Sequence, residues 1–97
     1  MVKSEDCWDG VNSMAYSGKV AVTASGIECQ AWSMDEPHSH GCHDPVNFPH
    51  DGSDVAAQNY CRDIILSLEG FPWCYTMSNR RWEGCDIPIC FSKSFQN

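Results

Sequence analysis

Phe71-Pro72-Trp73-Cys74-Tyr75-Thr76 is the stretch that decides how this chain folds, and Asn59-Tyr60-Cys61-Arg62 is its echo a little upstream. Two half-cystines sit here in aromatic and proline surroundings, close in sequence but too rigidly framed to pair with each other comfortably. Each must reach a cysteine elsewhere, so the segment becomes a staple joining distant parts of the chain. Trp73, Tyr75 and Trp82 cannot all be buried in so small a protein. Some of them are expected to line a surface, and that surface is the expected working part.

Ninety-seven residues allow one domain at most. Seven are cysteine, just under the share of roughly 8–10 per cent that marks a disulfide scaffold. Seven Gly and five Pro do not favour long regular elements, so cross-links must supply much of the stability. A bridge closing a long loop is worth about 2–4 kcal/mol, and a typical domain's net stability is only about 5–15 kcal/mol. No Cys-x-x-Cys pair is present, which speaks against structural zinc. Cysteines spread from Cys7 to Cys90 imply an oxidising, extracellular setting. Met1 to Asp6 has no apolar core of a signal peptide, so an excised module of a larger protein is expected. No apolar run approaches a membrane span. The formal charge of -7 excludes the basic stripe that nucleic acid or an anionic membrane requires.

Residues 1–6 and 91–97 read as flexible flanks of a domain over 7–90. Val20-Ala21-Val22-Thr23 suggests a short strand turned at Ser25-Gly26. From Ser33 to Gly52 the composition is that of an ordered loop, with no period of 2 or 3.6. Asp54 to Gln58 allows one helical turn. Ile64-Ile65-Leu66-Ser67-Leu68 is the one markedly apolar run, and a hairpin turning near Ser78-Asn79 is expected after Trp73.

Cys7, Tyr16-x-Gly18, Gly26-x-x-Cys29-Gln30-x-Trp32, Pro37-His38, Asn59-Tyr60-Cys61-Arg62, Pro72-Trp73-Cys74-Tyr75-Thr76 and Cys85-Asp86-Ile87-Pro88-x-Cys90 follow one another in this order. Together they resemble the signature of the kringle domain across residues 7–90. Pro37-His38-Ser39-His40, Phe48-Pro49 and Cys85-Asp86-Ile87-Pro88 look nearest to the kringle of Ror-type receptor tyrosine kinases. Six cysteines alone allow 15 pairings. The resemblance implies Cys7–Cys90, Cys29–Cys74 and Cys61–Cys85, in a small, loop-rich, disulfide-rich fold with a few short antiparallel strands.

The resemblance also implies a site. Lysine-binding kringles have a trough with aromatic walls, an acidic pair for the ammonium and basic residues for the carboxylate. Trp73 and Tyr75 match the wall, Trp82 the third aromatic, and Arg81 the cation beside it. Aromatic faces hold an alkyl stem and attract a cation, while Arg81 can take a carboxylate through paired hydrogen bonds. The acidic half departs from the pattern. Its positions fall at about Ile65 and Ser67, and Asp63 and Glu69 lie at the wrong offset. An unpaired aromatic trough gains at most about 0.5–1 kcal/mol from an exposed ammonium, so free lysine is expected to bind weakly or not at all. The bland alternative is that Trp73 and Tyr75 only pack over the Cys29–Cys74 bridge. The run Ile64–Leu68, with Phe71, is either folded on the core or an apolar contact for a protein partner.

Cys42 is left unpaired in this scheme. It is either a free thiol or a bridge to another domain or chain. Its surroundings hold His38, His40 and His43, a density that could take zinc or copper, but a flexible loop does not fix tetrahedral geometry and no metal or other cofactor is expected. Cys42-His43 adjacency is no nucleophile–base pair, and no nucleophile elbow occurs. The expected function is non-catalytic protein recognition within a secreted or receptor protein, through Trp73, Tyr75, Arg81 and Trp82. The alternatives are a structural spacer and a metal-dependent assembly module using His38, His40, Cys42 and His43.

Overall fold

The structure, a computed structural model, describes residues 6–90. The flanks expected at 1–6 and 91–97 lie outside the described residues except for Asp6. Regular structure is sparse. Among the described residues, single turns of 3-10 helix span Ser13–Ala15 and Pro45–Asn47, and an antiparallel pair joins β1 (Trp73–Tyr75) to β2 (Trp82–Gly84). No α-helix occurs among the described residues.

Aromatic and sulphur side chains make β1 a good strand former, and the pair is in register Trp73↔Gly84, Cys74↔Glu83, Tyr75↔Trp82. Pro72 has no N–H to give, so the ladder continues through its carbonyl, which accepts from Cys85 N at 2.9 Å. Beyond Tyr75 the chain turns through Ser78 and Asn79, as expected, with the Thr76 hydroxyl donating to the Arg80 carbonyl and accepting from Ser78 N. On its other side β1 exchanges two 2.9 Å hydrogen bonds with Arg62. The Tyr75 carbonyl also accepts from Gln30 N at 2.8 Å. β1 thus has backbone partners on both edges, and all three of its residues are buried.

The expected strand at Val20–Thr23 shrinks to one bridge, Val22↔Glu28. Its hairpin closes immediately, with Thr23 N donating to Ile27 O at 2.8 Å and Gly26 at φ 85°, a left-handed value that glycine tolerates. Residues 53–60 make successive turns, from Ala57 N on Ser53 O to Tyr60 N on Ala57 O, and Gln58 at φ 50° interrupts any helix.

Three disulfides close the fold: Cys7–Cys90, Cys29–Cys74 and Cys61–Cys85, spanning 83, 45 and 24 positions. The two inner bridges touch, with Cys29 and Cys61 sulphurs 3.8 Å apart. Around them Trp32 packs against Trp73 (5.3 Å between ring centres), Phe48 (5.4 Å) and Tyr75 (5.8 Å). The echo motif is structural. Buried Arg62 holds Asp51 through two bonds of 2.9 and 3.0 Å, donates to the Gly18 and Cys61 carbonyls, and lies 5.5 and 5.3 Å from the centres of the Tyr16 and Tyr60 rings.

Asp63 is a second hub. It is buried and accepts from Trp73 Nε1, Glu69 N and Gly70 N, each at 2.9 Å, and from the Ser13 hydroxyl at 2.5 Å. Buried donors without an acceptor cost roughly 1–3 kcal/mol each. Asp63→Ala is therefore expected to lower stability by at least about 3 kcal/mol in urea unfolding with the disulfides intact. A loss below about 1 kcal/mol would show that these donors find solvent instead.

Candidate functional site

Strand geometry assembles the expected residues. Trp73 and Tyr75 alternate onto one face of β1, and Trp82 stands opposite Tyr75 across the pair. Trp73 lies 5.0 Å from Tyr75 and 5.5 Å from Trp82 between ring centres. The Arg81 guanidinium carbon sits 5.0 Å from the Tyr75 ring centre, while one Arg81 nitrogen donates to the Ser39 carbonyl at 2.9 Å. All four side chains are thus in one place, at different depths. Trp73 is 2 % exposed and Tyr75 8 %, whereas Trp82 is 37 % exposed.

Trp82 stacks with Phe71, 6.4 Å and 23° apart. Phe71 reaches this position because Gly84 has no side chain; a Cβ there would lie 2.8 Å from the ring. A shallow groove of about 510 Å³ runs beside the pair, with Arg80, Glu83 and Asp86 on its rim. Hydrogen bonds from Ser25 and then Thr23 hold the Glu83 carboxyl below its usual range. Just upstream the apolar run splits: Ile64 is buried, while Ile65, Leu66 and Leu68 are at least half exposed. Leu66 N is fixed to Asn47 Oδ1 at 2.9 Å, which ties this loop to the turn carrying exposed Val46.

The histidine loop lies on the other side of Tyr75. His40 stacks on Tyr75 (4.8 Å, 7°) and His43 stacks on His40 (4.5 Å, 22°). His43 is held by two carboxylates, Nδ1 to Asp54 at 2.8 Å and Nε2 to Asp35 at 2.9 Å. His40 Nδ1 accepts from Cys42 N at 3.1 Å, and its Nε2 is shut off from solvent with no partner of normal hydrogen-bond geometry. His38 is elsewhere, bonded through Nε2 to the Ser78 carbonyl. Cys42 is 2 % exposed, its sulphur 3.6 Å from the Tyr75 hydroxyl. Another chain's thiol reaches it only if this loop opens. Burial, then the Cys42 contact, pushes the Tyr75 phenol up to about 12.

Burial, then the neighbouring His43, pushes His40 below the usual imidazole value. The bonds to Asp54 and then Asp35 raise His43, and His43 in turn holds both carboxyls low. His40, His43 and Asp35 bring ligand-type atoms within 4.8 Å of one another. The four inner cysteines are equally close, but as two disulfides they have no thiolate to offer a metal.

A family model described as Kringle domain matches residues 7–90. The chain belongs to the kringle family. Kringle domains are typically extracellular protein-interaction modules and are generally non-catalytic. Ile65 is half exposed, and the Ser67 hydroxyl donates to Glu69 at 3.1 Å. Asp63, which lies near them in sequence, is in the core with four donors already around it. Sequence reasoning missed Asp35 and Asp54 at the histidines. No spacing signals them: Asp54 meets His43 across an irregular 11-residue loop.

The titration of this cluster has a definite sign. His43 is raised in the fold, so its contribution to stability is full below its unfolded value of about 6.5 and disappears as pH rises through the folded value. Asp35 and Asp54 are lowered, so theirs is present above about 3.9 and disappears as pH falls through the folded values. The gap in urea midpoint between the parent and His43→Ala is expected to be larger near about pH 5.5 than near about pH 8.5. Exposure keeps the gap small. An equal gap at both pH values contradicts the ion-pair geometry.

Proposed function

We propose that this kringle is a non-catalytic, extracellular protein-recognition module that meets its partner through the edge carrying Trp82, Phe71 and Arg81. The exposed residues Ile65, Leu66 and Leu68 extend that contact, with buried Trp73 and Tyr75 as its floor. The observation that carries the reading is the run of exposed apolar side chains at Ile65, Leu66 and Leu68, followed a few residues later in the chain by the stacked, part-exposed Phe71–Trp82 pair. Exposed apolar surface marks binding sites on proteins, and tryptophan with arginine is the usual composition of their energetic centres.

The same geometry argues for weak binding of free lysine. Aromatic rings and Arg81 are present, but the half that would hold an ammonium is replaced by an isoleucine and a serine. Titration of ε-aminocaproate, followed by tryptophan fluorescence, is expected to give little response. Saturable quenching at sub-millimolar ligand would contradict it.

Recognition is tested by screening the immobilised domain against secreted proteins and receptor ectodomains, with Trp82→Ala and Leu66→Ser measured in parallel. Both side chains are exposed, so both variants are expected to fold. Loss of a central contact of about 2 kcal/mol corresponds to roughly a 30-fold weaker partner. Partners bound equally by the parent and both variants would favour the other reading, a spacer that only holds neighbouring domains in place.

A further inference from the structure

We propose that Asp35, His40 and His43 form a divalent-metal site, with zinc the best-fitting ion, and that Asp54 positions its central ligand. This goes beyond partner recognition and involves none of the residues assigned to that edge.

His43 is the centre of the arrangement. Nδ1 meets Asp54 at 2.8 Å and Nε2 meets Asp35 at 2.9 Å. Metal-bound histidines ordinarily give their second ring nitrogen to a carboxylate, which fixes the tautomer and strengthens the bond to the metal. Asp54 stands in that relation to His43. It leaves Nε2 and an Asp35 oxygen facing each other, where a cation would sit between them in place of the hydrogen. The side chain of Asp54 is the better buried of the two carboxylates, 19 % exposed against 55 % for Asp35. That difference suits an inner positioning group and an outer, accessible ligand.

His40 supplies the third donor. Its Nε2 is withdrawn from solvent and makes no hydrogen bond of normal geometry, while its Nδ1 accepts a single hydrogen bond, from Cys42 N at 3.1 Å, which the ring gives up when it turns. The three donor atoms lie within 4.8 Å of one another. Tetrahedral zinc with bonds of about 2.0–2.1 Å needs donors about 3.3 Å apart. Closing that difference takes a movement of up to about 1.5 Å, and His40 must turn out of its stack on His43, since parallel rings cannot both aim at one ion. The donors are two imidazoles and one carboxylate, a set that suits zinc better than calcium or magnesium, which prefer all-oxygen shells. Cys42 does not contribute: its sulphur packs on Tyr75 in the core.

The test is equilibrium dialysis of the oxidised 97-residue protein, free of affinity tags, against zinc chloride at neutral pH. One zinc per chain is expected to be retained. His43→Ala and Asp35→Ala are expected to abolish retention. Asp54→Asn, which keeps the shape but weakens the acceptor, is expected to reduce affinity about 10- to 100-fold. Cys42→Ser is expected to bind as the parent does, and cobalt substitution to give no thiolate charge-transfer band. Near-ultraviolet circular dichroism of each variant establishes that it is folded. No retained zinc in the parent, or undiminished retention in folded His43→Ala, overturns the site. Loss of binding in Cys42→Ser overturns the ligand assignment in favour of the thiol. A variant that fails to fold is replaced by His43→Gln, read the same way.

Discussion

Two disulfides in contact govern this molecule. Cys29–Cys74 and Cys61–Cys85 cross with sulphurs 3.8 Å apart, and the segments they join contribute β1, β2, the hairpin turned at Gly26 and the Arg62 segment. A chain with one pair of three-residue strands and no α-helix among the described residues has few cooperative ladders to hold it. The bridges provide what those ladders cannot, chiefly by restricting the unfolded chain. Trp32, Phe48, Trp73 and Tyr75 then pack round the sulphurs as a layer of rings at 5–6 Å spacing, within the range aromatic pairs favour.

The depth of the candidate site follows from that layer. Trp73 and Tyr75 flank a cysteine that must lie at the crossing, so their rings are drawn into the core with it. Trp73 is further fixed by its indole N–H on Asp63. What remains exposed is the rim: Trp82 on β2, Phe71 over the bare backbone of Gly84, and the loop that follows Ile64. On the function proposed above, exposed Ile65 and Leu66 make this loop an apolar contact rather than a trap for a cation.

Much of this was legible in the residues. The cysteine landmarks imply the pairing through the kringle resemblance, and Ser78-Asn79 marked the turn of the hairpin. Burial was less legible. Ile64 and Ile65 are identical neighbours, yet one is in the core and the other half exposed, because a tight Ile64↔Ser67 bridge turns the chain between them. Asp63 looked like a misplaced ligand for an ammonium and is an internal acceptor for groups at positions 13, 69, 70 and 73. Cys42 and the histidines read as one local cluster. The fold keeps His40 and His43 stacked but takes His38 to Ser78, buries the Cys42 sulphur against Tyr75 and ties His43 to two aspartates. Contacts made across irregular loops leave no period for a sequence to show.

The most direct test of the crossed bridges is the ¹H–¹⁵N NMR spectrum of the protein after complete reduction and thiol blocking, in native buffer. Collapse of the dispersed amide signals to the narrow range of an unfolded chain is expected, because the ring layer alone is too small to order so many residues. A dispersed, native-like spectrum without the disulfides would contradict it, since packing would then hold the fold without covalent closure.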